Sequence, residues 1–289
     1  MAAMLHETAR AKLNLTLEVK GRRPDRYHQL ESLVAFADFG DDVALEPGPE
    51  LSLETDGPFA PALGAAENLI LAAAEAAKAF APDLTLGRFH LTKELPIASG
   101  LGGGSADGAA ALRLLARANQ GKLRPEMLAE IAAKLGSDVT ACLASKPALM
   151  TGRGEVVNDV AGFPFCGVLL ANPGIELATA KVYAALDAKP CRDNHNRSEA
   201  PPQFEGSFER LIDYAQSRTN DLEAPALKFA PSIGEVLALL SDFGPSLTRL
   251  SGSGATCFAL FDSTQEAASA AQALSRRQPN WWVKAGSLG

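Results

Sequence analysis

Cysteine, long apolar runs and blocks of basic charge are all scarce in this 289-residue chain, and each shortage excludes a class of protein. The four cysteines, Cys142, Cys166, Cys191 and Cys257, show neither metal-ligand nor redox-pair spacing, and four in so long a chain make no disulfide scaffold. Reduced thiols, and with them a cytoplasmic protein, are the expectation. The longest apolar stretches, such as Leu69 to Ala74, stop far short of the ~20 residues of a membrane span. Met1 to Arg10 lacks the basic start and apolar run of a signal peptide. Lysine and arginine (27) are outnumbered by aspartate and glutamate (34), a net charge of −7, and the acidic residues are scattered. That excludes nucleic-acid binding by bulk phosphate neutralisation, and any anionic ligand must meet locally placed cations. Glycine (25) and proline (18) are too few for collagen or low-complexity disorder. What remains is a folded globular protein, 47% hydrophobic and about twice the length of a typical domain, so that two lobes with a cleft between them are expected.

From Lys12 to Lys20 apolar and polar residues alternate, with Leu13, Leu15, Leu17 and Val19 on one face and Lys12, Asn14, Thr16, Glu18 and Lys20 on the other. The period of two predicts a half-buried strand with Lys12 and Asn14 side by side on its open face. Tyr27 to Phe39 ends at a Gly40-Asp41-Asp42 turn, and Val43 to Leu45 with Leu51 to Leu53 read as a strand pair about a Pro-Gly-Pro turn. Asn68 is placed to cap a helix reaching Phe80, Phe89 to Lys93 returns as a strand, and Pro125 to Leu135 reads as a helix closed by Gly136. In the second half Val168 to Ala171, Leu247 to Leu250, Thr256 to Phe261 and Trp281 to Ala285 read as strands, with a short helix from Thr179 to Leu186. Ser232 with Glu235 and Ser263 with Glu266 read as capping boxes. The order predicts a split β-α-β sandwich, an α+β lobe. The polar stretch Cys191 to Gly206 is expected to be a mobile loop.

The most unusual passage is Leu95-Pro96-Ile97-Ala98-Ser99-Gly100-Leu101-Gly102-Gly103-Gly104-Ser105-Ala106, which opens directly onto an alanine- and leucine-rich helix. Four glycines in five positions are costly in conformational entropy unless backbone must turn sharply or approach something closely. Free N–H groups at the helix start then make an anion site suited to phosphates. The bland alternative is a tight turn with Ser105 as a simple N-cap. A Walker-type loop is excluded, because no lysine lies between Lys93 and Lys122. A dinucleotide fingerprint fits poorly, since Pro96 rather than a buried strand precedes the loop.

This loop resembles the ATP-binding loop of the GHMP kinases, the galactokinase, homoserine, mevalonate and phosphomevalonate kinase superfamily. Four further stretches narrow the resemblance to the branch whose substrate carries a cytidine diphosphate: Ala11-Lys12-Leu13-Asn14-Leu15, Asp25-Arg26-Tyr27-His28, Gly136-Ser137-Asp138-Val139 and Arg249-Leu250-Ser251-Gly252-Ser253-Gly254-Ala255. The resemblance implies a two-lobed α+β fold. An ATP-binding lobe like ribosomal protein S5 domain 2 covers residues 1–157, and a ferredoxin-like, substrate-binding lobe covers 158–289.

The resemblance also implies roles. Lys12 and Asp138 face each other across the reacting hydroxyl; Tyr27 and Tyr183 stack on a cytosine whose edge His28 holds; Asn14, Thr179, Ser251, Gly252 and Ser253 bind substrate. ATP lies on Pro96 to Ala106, with Mg²⁺ bridging its phosphates through ligands that stay unassigned. Taken alone, Lys12 is a solvated strand residue, Asp138 a cap for a short helix through Leu143, Tyr27 and His28 packing residues, and Ser251 to Gly254 a plain turn. The pattern departs at Arg26, where glycine is usual, and at Thr140, where proline is usual. Asn220-Asp221-Leu222 reads as a helix start without chemistry, and His6, His90 and His195 have no neighbours that would make a metal site. The implied reaction phosphorylates the 2-hydroxyl of a cytidine-diphosphate-bearing methylerythritol in non-mevalonate isoprenoid synthesis. A homoserine- or mevalonate-type kinase and a non-catalytic phosphate-ligand sensor on the same fold stay open as alternatives.

Overall fold

The computed structural model describes residues 3–25, 27–63, 68–191 and 200–289. The chain begins with strands β1 (Leu5–Asn14), β2 (Glu18–Arg22), β3 (His28–Gly48) and β4 (Ser52–Asp56), then helix α1 (Leu69–Phe80) and β5 (Leu86–Thr92). Three helices follow, α2 (Gly103–Ala118), α3 (Pro125–Leu135) and α4 (Ser137–Ala144), before β6 (Ala148–Gly152), β7 (Val156–Asp159) and β8 (Cys166–Asn172). Four more, α5 (Thr179–Ala184), α6 (Phe208–Gln216), α7 (Glu223–Phe229) and α8 (Ser232–Ser241), lead to β9 (Leu247–Leu250), β10 (Cys257–Phe261), α9 (Thr264–Arg277) and β11 (Trp282–Leu288). The described residues sort into two compact units interleaved along the chain. The first draws on Met1–Ala11, Phe39–Ile97 and Gly102–Ser145, the second on Lys12–Asp38, Ala98–Leu101 and Lys146–Gly289.

In the first unit the C-terminal part of β3 pairs antiparallel with β5, from Asp42 opposite Thr92 to Gly48 opposite Leu86, and β5 pairs in parallel with β4. The expected hairpin between Val43–Leu45 and Leu51–Leu53 therefore does not form, because β5 takes the ladder position that the nearer segment was assigned. Nor is Gly40-Asp41-Asp42 a turn: β3 runs straight through it. Gly40 is needed there for close approach, since a Cβ would sit 1.9 Å from the Ala9 carbonyl oxygen. Asn68 caps α1 as expected, its Oδ1 accepting from the Ile70 amide at 2.9 Å. The apolar stripe Ile70, Ala73, Ala74 and Ala77 then packs on α2, which is buried without a break from Ala106 to Leu112. Such burial supplies roughly 1.5–3 kcal/mol per large apolar side chain.

In the second unit β8 is buried at all seven positions and lies between β11 and β10, both antiparallel to it, with β9 beyond β10. The strand order β11-β8-β10-β9, with α9 crossing between β10 and β11, is the split β-α-β topology expected of the second half. Leu169, Ala171, Val236, Leu240, Cys257, Ala259 and Leu274 form the centre of its core. Ser263 and Glu266 make the predicted capping box of α9. Ser232 does not make the other: Pro231 is already helical at φ −58°, so Ser232 falls inside α8 and caps nothing. The N-terminal part of β3 pairs with β2 and β6.

Candidate functional site

The single strand expected from Lys12 to Lys20 is broken into the end of β1 and the start of β2, and every residue from Ala11 to Leu17 is buried. Lys12 and Asn14 are 3% and 5% exposed rather than on an open face. The alternation is real, but its polar face meets partners instead of water. Lys12 Nζ donates to Asn14 Oδ1 at 3.0 Å, Asn14 Nδ2 to Ser32 Oγ at 2.8 Å, and Ser32 Oγ to the Thr16 carbonyl at 2.5 Å. Thr16 Oγ1 in turn accepts from the Leu33 amide at 3.0 Å. A buried polar chain of this kind is tolerated because nearly every member is hydrogen-bonded, and it fixes the rotamer of the ammonium at its end.

Two loops are tied to the same strand end. The Lys12 amide donates to the Leu101 carbonyl at 2.9 Å, Ser251 Oγ donates to the Gly100 carbonyl at 2.9 Å, and the Thr256 amide donates to the Ser99 carbonyl at 3.0 Å. The Asn14 amide reaches Ser251 Oγ at 3.4 Å, and Ser253 Oγ shares a hydrogen bond with Thr179 Oγ1 at 2.8 Å. Lys12, Asn14, Ala98 to Leu101, Thr179 and Ser251 to Ser253 are thus brought together within the second unit. In the same unit His28 packs on Tyr183, ring centroids 5.1 Å apart and planes tilted by 32°. Burial, aided by the nearby Arg22 charge, lowers the His28 pKa. Tyr27 is 56% exposed, and the Arg153 guanidinium lies 4.8 Å from its ring centre.

In the first unit Gly102, left-handed at φ 64°, is the N-cap of α2, and Gly103, Gly104, Ser105 and Ala106 form the first turn. Ser105 is therefore not a cap, and the helix start presents main-chain amides. Pro96 and Ile97 lead into the loop from the β5 side. Asp138 lies in the first turn of α4, whose N-cap is Gly136. Helix α4 runs regularly through Thr140, whose hydroxyl is buried without a hydrogen-bond partner.

Several residues to which no role was assigned organise these loops. Asn220, read as a helix start, donates from Nδ2 to the Leu250 and Gly252 carbonyls at 2.9 and 2.8 Å, and so holds the second glycine loop. Asp221 accepts from the Val19 amide at 2.7 Å. Arg249 donates to the Leu15, Ala215 and Arg218 carbonyls, and burial lowers its pKa despite Glu223. Under the start of α2, Lys93 Nζ sits 2.5 Å from Asp41 Oδ2 and 2.6 Å from Asp107 Oδ2, all three side chains being buried. Asp107 stands in the stretch of α2 that is buried without a break from Ala106 to Leu112, and no sequence motif marks the cluster.

The family model described as the GHMP kinases N terminal domain matches residues 68–146, and that of the GHMP kinases C terminal matches residues 202–280. The chain belongs to the GHMP kinases. It is an ATP-dependent small-molecule kinase by that membership. This GHMP kinase is 49% identical over 294 residues to a Rhodopseudomonas palustris protein named 4-diphosphocytidyl-2-C-methyl-D-erythritol kinase, covering 99% of this chain and 98% of the relative. A crystal structure of 4-(cytidine 5'-diphospho)-2C-methyl-D-erythritol kinase superposes with a TM-score of 0.76 at 31% identity, over 99% of both chains. Homoserine kinase from Cytophaga hutchinsonii shares the fold alone, with a TM-score of 0.69 at 16% identity over 100% of this chain and 95% of that one. The mixed α+β architecture of the kinase agrees with these neighbours. Among its described residues no helix is long and apolar enough to cross a membrane. Arg26, His195 and half of the expected mobile loop, 192–199, lie outside the described residues.

Proposed function

We propose that this kinase transfers the γ-phosphoryl group of ATP to the 2-hydroxyl of 4-diphosphocytidyl-2-C-methyl-D-erythritol, a step toward isoprenoid precursors outside the mevalonate route. The observation that carries the reading is near-complete coverage by a 49%-identical relative of that name. The hydrogen-bonded assembly of Lys12, Asn14 and the two glycine loops gives it a physical basis. Phosphoryl transfer depends on positioning and charge stabilisation more than on covalent help. In this reading the main-chain amides of Pro96 to Ala106 receive the ATP phosphates, Asp138 takes the hydroxyl proton, and Lys12, oriented by Asn14, stabilises the charge on the alkoxide and the transferring group. Tyr27, His28 and Tyr183 hold the cytosine, and Thr179 with Ser251, Gly252 and Ser253 the rest of the substrate.

Mg²⁺ accompanies the nucleotide. Among the described residues no three His, Cys, Asp or Glu side chains converge on a metal position, and the ion would enter with the phosphate oxygens of the nucleotide. When bound it supplies positive charge against those oxygens, and we assign it no side-chain ligand. In this reading residues 1–157 form the ATP-binding domain and 158–289 the substrate-binding domain, with the family matches at 68–146 and 202–280 on either side of that boundary; the compact units differ, Lys12–Asp38 and Ala98–Leu101 grouping with Lys146–Gly289. Four free cysteines support work in the cytoplasm.

The test is ADP release in magnesium with the cytidine-bearing substrate, homoserine and mevalonate in parallel. Turnover with the first alone is expected, falling by about 10²-fold or more in Lys12→Ala and in Asp138→Asn with thermal unfolding retained. A near-wild-type rate in either variant, or preference for homoserine or mevalonate, overturns the reading.

A further inference from the structure

The cluster of Asp41, Lys93 and Asp107 belongs to none of the roles above, yet it is attached to both ends of the glycine loop. On the entry side Asp41 Oδ1 accepts from the Glu94 and Leu95 amides at 2.7 and 2.8 Å, fixing the chain just ahead of Pro96. On the exit side Lys93 Nζ lies where a Cβ on Gly103 would meet it at 3.1 Å, with Asp41 Oδ2 at 3.4 Å, so the first residue of α2 rests directly on the charges. Asp107, in the second turn of the same helix, closes the connection through Lys93.

The two carboxylates are not equivalent. Asp41 has three donors, the two amides and the ammonium. Asp107 has the ammonium on Oδ2, while its Oδ1 is buried with no partner at all. Two carboxylates on one ammonium carry a net charge of −1 in a site sealed from water, and the less satisfied carboxylate is the one that sheds it by taking a proton.

We propose that Asp41, Lys93 and Asp107 are positioning residues for the phosphate-receiving loop, and that Asp107 must be uncharged for the loop to accept the nucleotide phosphates at full strength. A negative cluster beneath the helix start opposes the field that draws phosphate to its amides; a neutral one leaves that field intact. The balance of forces on Asp107 agrees. Burial raises its pKa, the Lys93 charge lowers it and the Asp41 charge raises it again, and the outcome is a carboxyl pushed up to about 7. Glu75 and Lys78 on α1 and Asp138 and Cys142 on α4 are the titratable groups of the helices packed against α2, but the charges acting on Asp107 are those of Lys93 and Asp41. On Lys93 burial works against the ammonium, and Asp107 and Asp41 more than offset it, so the lysine stays charged throughout.

This inference rests on the reading that ATP phosphates occupy the loop, and the experiment separates the two. ADP with Mg²⁺ is titrated calorimetrically into the full-length wild type, Asp107→Asn and Gly103→Val from about pH 5.5 to about pH 8.5, a range that brackets the Asp107 titration. Asn mimics the neutral carboxyl, so the ratio of wild-type to Asp107→Asn dissociation constants is expected to climb from about 1 to about tenfold, the effect of one pKa unit at Asp107 on nucleotide binding. Ionisation of the ligand cancels in that ratio, and Asp107→Ser serves as the second neutral variant should the first not fold. A ratio that is flat or falls with pH, while wild type binds and Gly103→Val does not, overturns the positioning role and spares the site. Wild-type affinity in Gly103→Val overturns the site itself.

Discussion

Two glycines share a backbone angle and differ in surroundings, which makes them a controlled experiment on how the glycine loop is held. Gly100 and Gly121 both have φ +81°, but a Cβ on Gly100 would lie 2.2 Å from the Ser251 carbonyl oxygen and 3.0 Å from the Gly254 amide, whereas one on Gly121 would meet nothing within 4 Å. Gly121→Ala therefore meets only the left-handed conformation, about 1–2 kcal/mol, reduced by the lower freedom of the unfolded chain to about 1 kcal/mol. Gly100→Ala meets the same cost and an overlap that no rotamer relieves, so residues 98–101 must move off the 251–254 loop. Three hydrogen bonds go with that movement, from Ser251 Oγ to Gly100, from Thr256 to Ser99 and from Lys12 to Leu101, at about 1 kcal/mol each. The total is about 4 kcal/mol. At about 2–4 °C per kcal/mol for a chain of this size, the melting temperature falls by about 3 °C in Gly121→Ala and by about 10 °C or more in Gly100→Ala. Scanning fluorimetry measures both shifts, and ADP release shows whether turnover drops with the second alone. Equal shifts in the two variants would refute the claim that Ser251 and Gly254 pin the loop.

Two further outcomes follow from buried polar groups. Asp107→Asn gains stability over wild type as the pH rises. The folded carboxyl holds its proton up to about 7 while the unfolded one releases it near 3.8, so wild type is penalised progressively between those values by up to about 4 kcal/mol. Urea midpoints for the two proteins should coincide near pH 4 and separate by pH 8, and a constant or reversed difference contradicts the assignment. Asn220→Ala leaves the Leu250 and Gly252 carbonyls without their donor and should cost about 2–3 kcal/mol in the same measurement, with a raised KM for the cytidine-bearing substrate; an unchanged KM removes Asn220 from the support of that loop.

Local signals were legible wherever they were sufficient to determine the structure. Asn68, Pro125, Gly136 and the Ser263–Glu266 box mark helix ends because capping depends on residues within four positions of each other. The strands of the second half and their connection were readable because each is a short apolar run bounded by turn residues. The failures share a cause. Whether β4 pairs with β3 or with β5 is decided by a strand more than 30 residues further on, and whether Gly40 turns or continues is decided by how closely Ala9 approaches it. Ser232 failed for a subtler reason. Its capping box lies one residue inside a helix that Pro231 had already begun.

The same limit explains why the candidate site was only half visible. A period of two says which residues share a face, and it equates the polar face with water; at Lys12, Asn14 and Thr16 that face is covered by Ser32, Leu33 and the 98–101 and 251–254 loops, so the inference of exposure failed although the grouping was right. Asp107 failed in the opposite sense, since nothing singled it out. Yet a carboxylate in a stretch of α2 buried from Ala106 to Leu112 has no route to solvent, and burial of an unpaired charge is far too costly to persist, so such a residue demands a cation from elsewhere in the fold. In the structure that cation is Lys93. Its ammonium is what turns the alanine-rich helix behind the glycine loop from a packing element into one whose charge state bears on the phosphates.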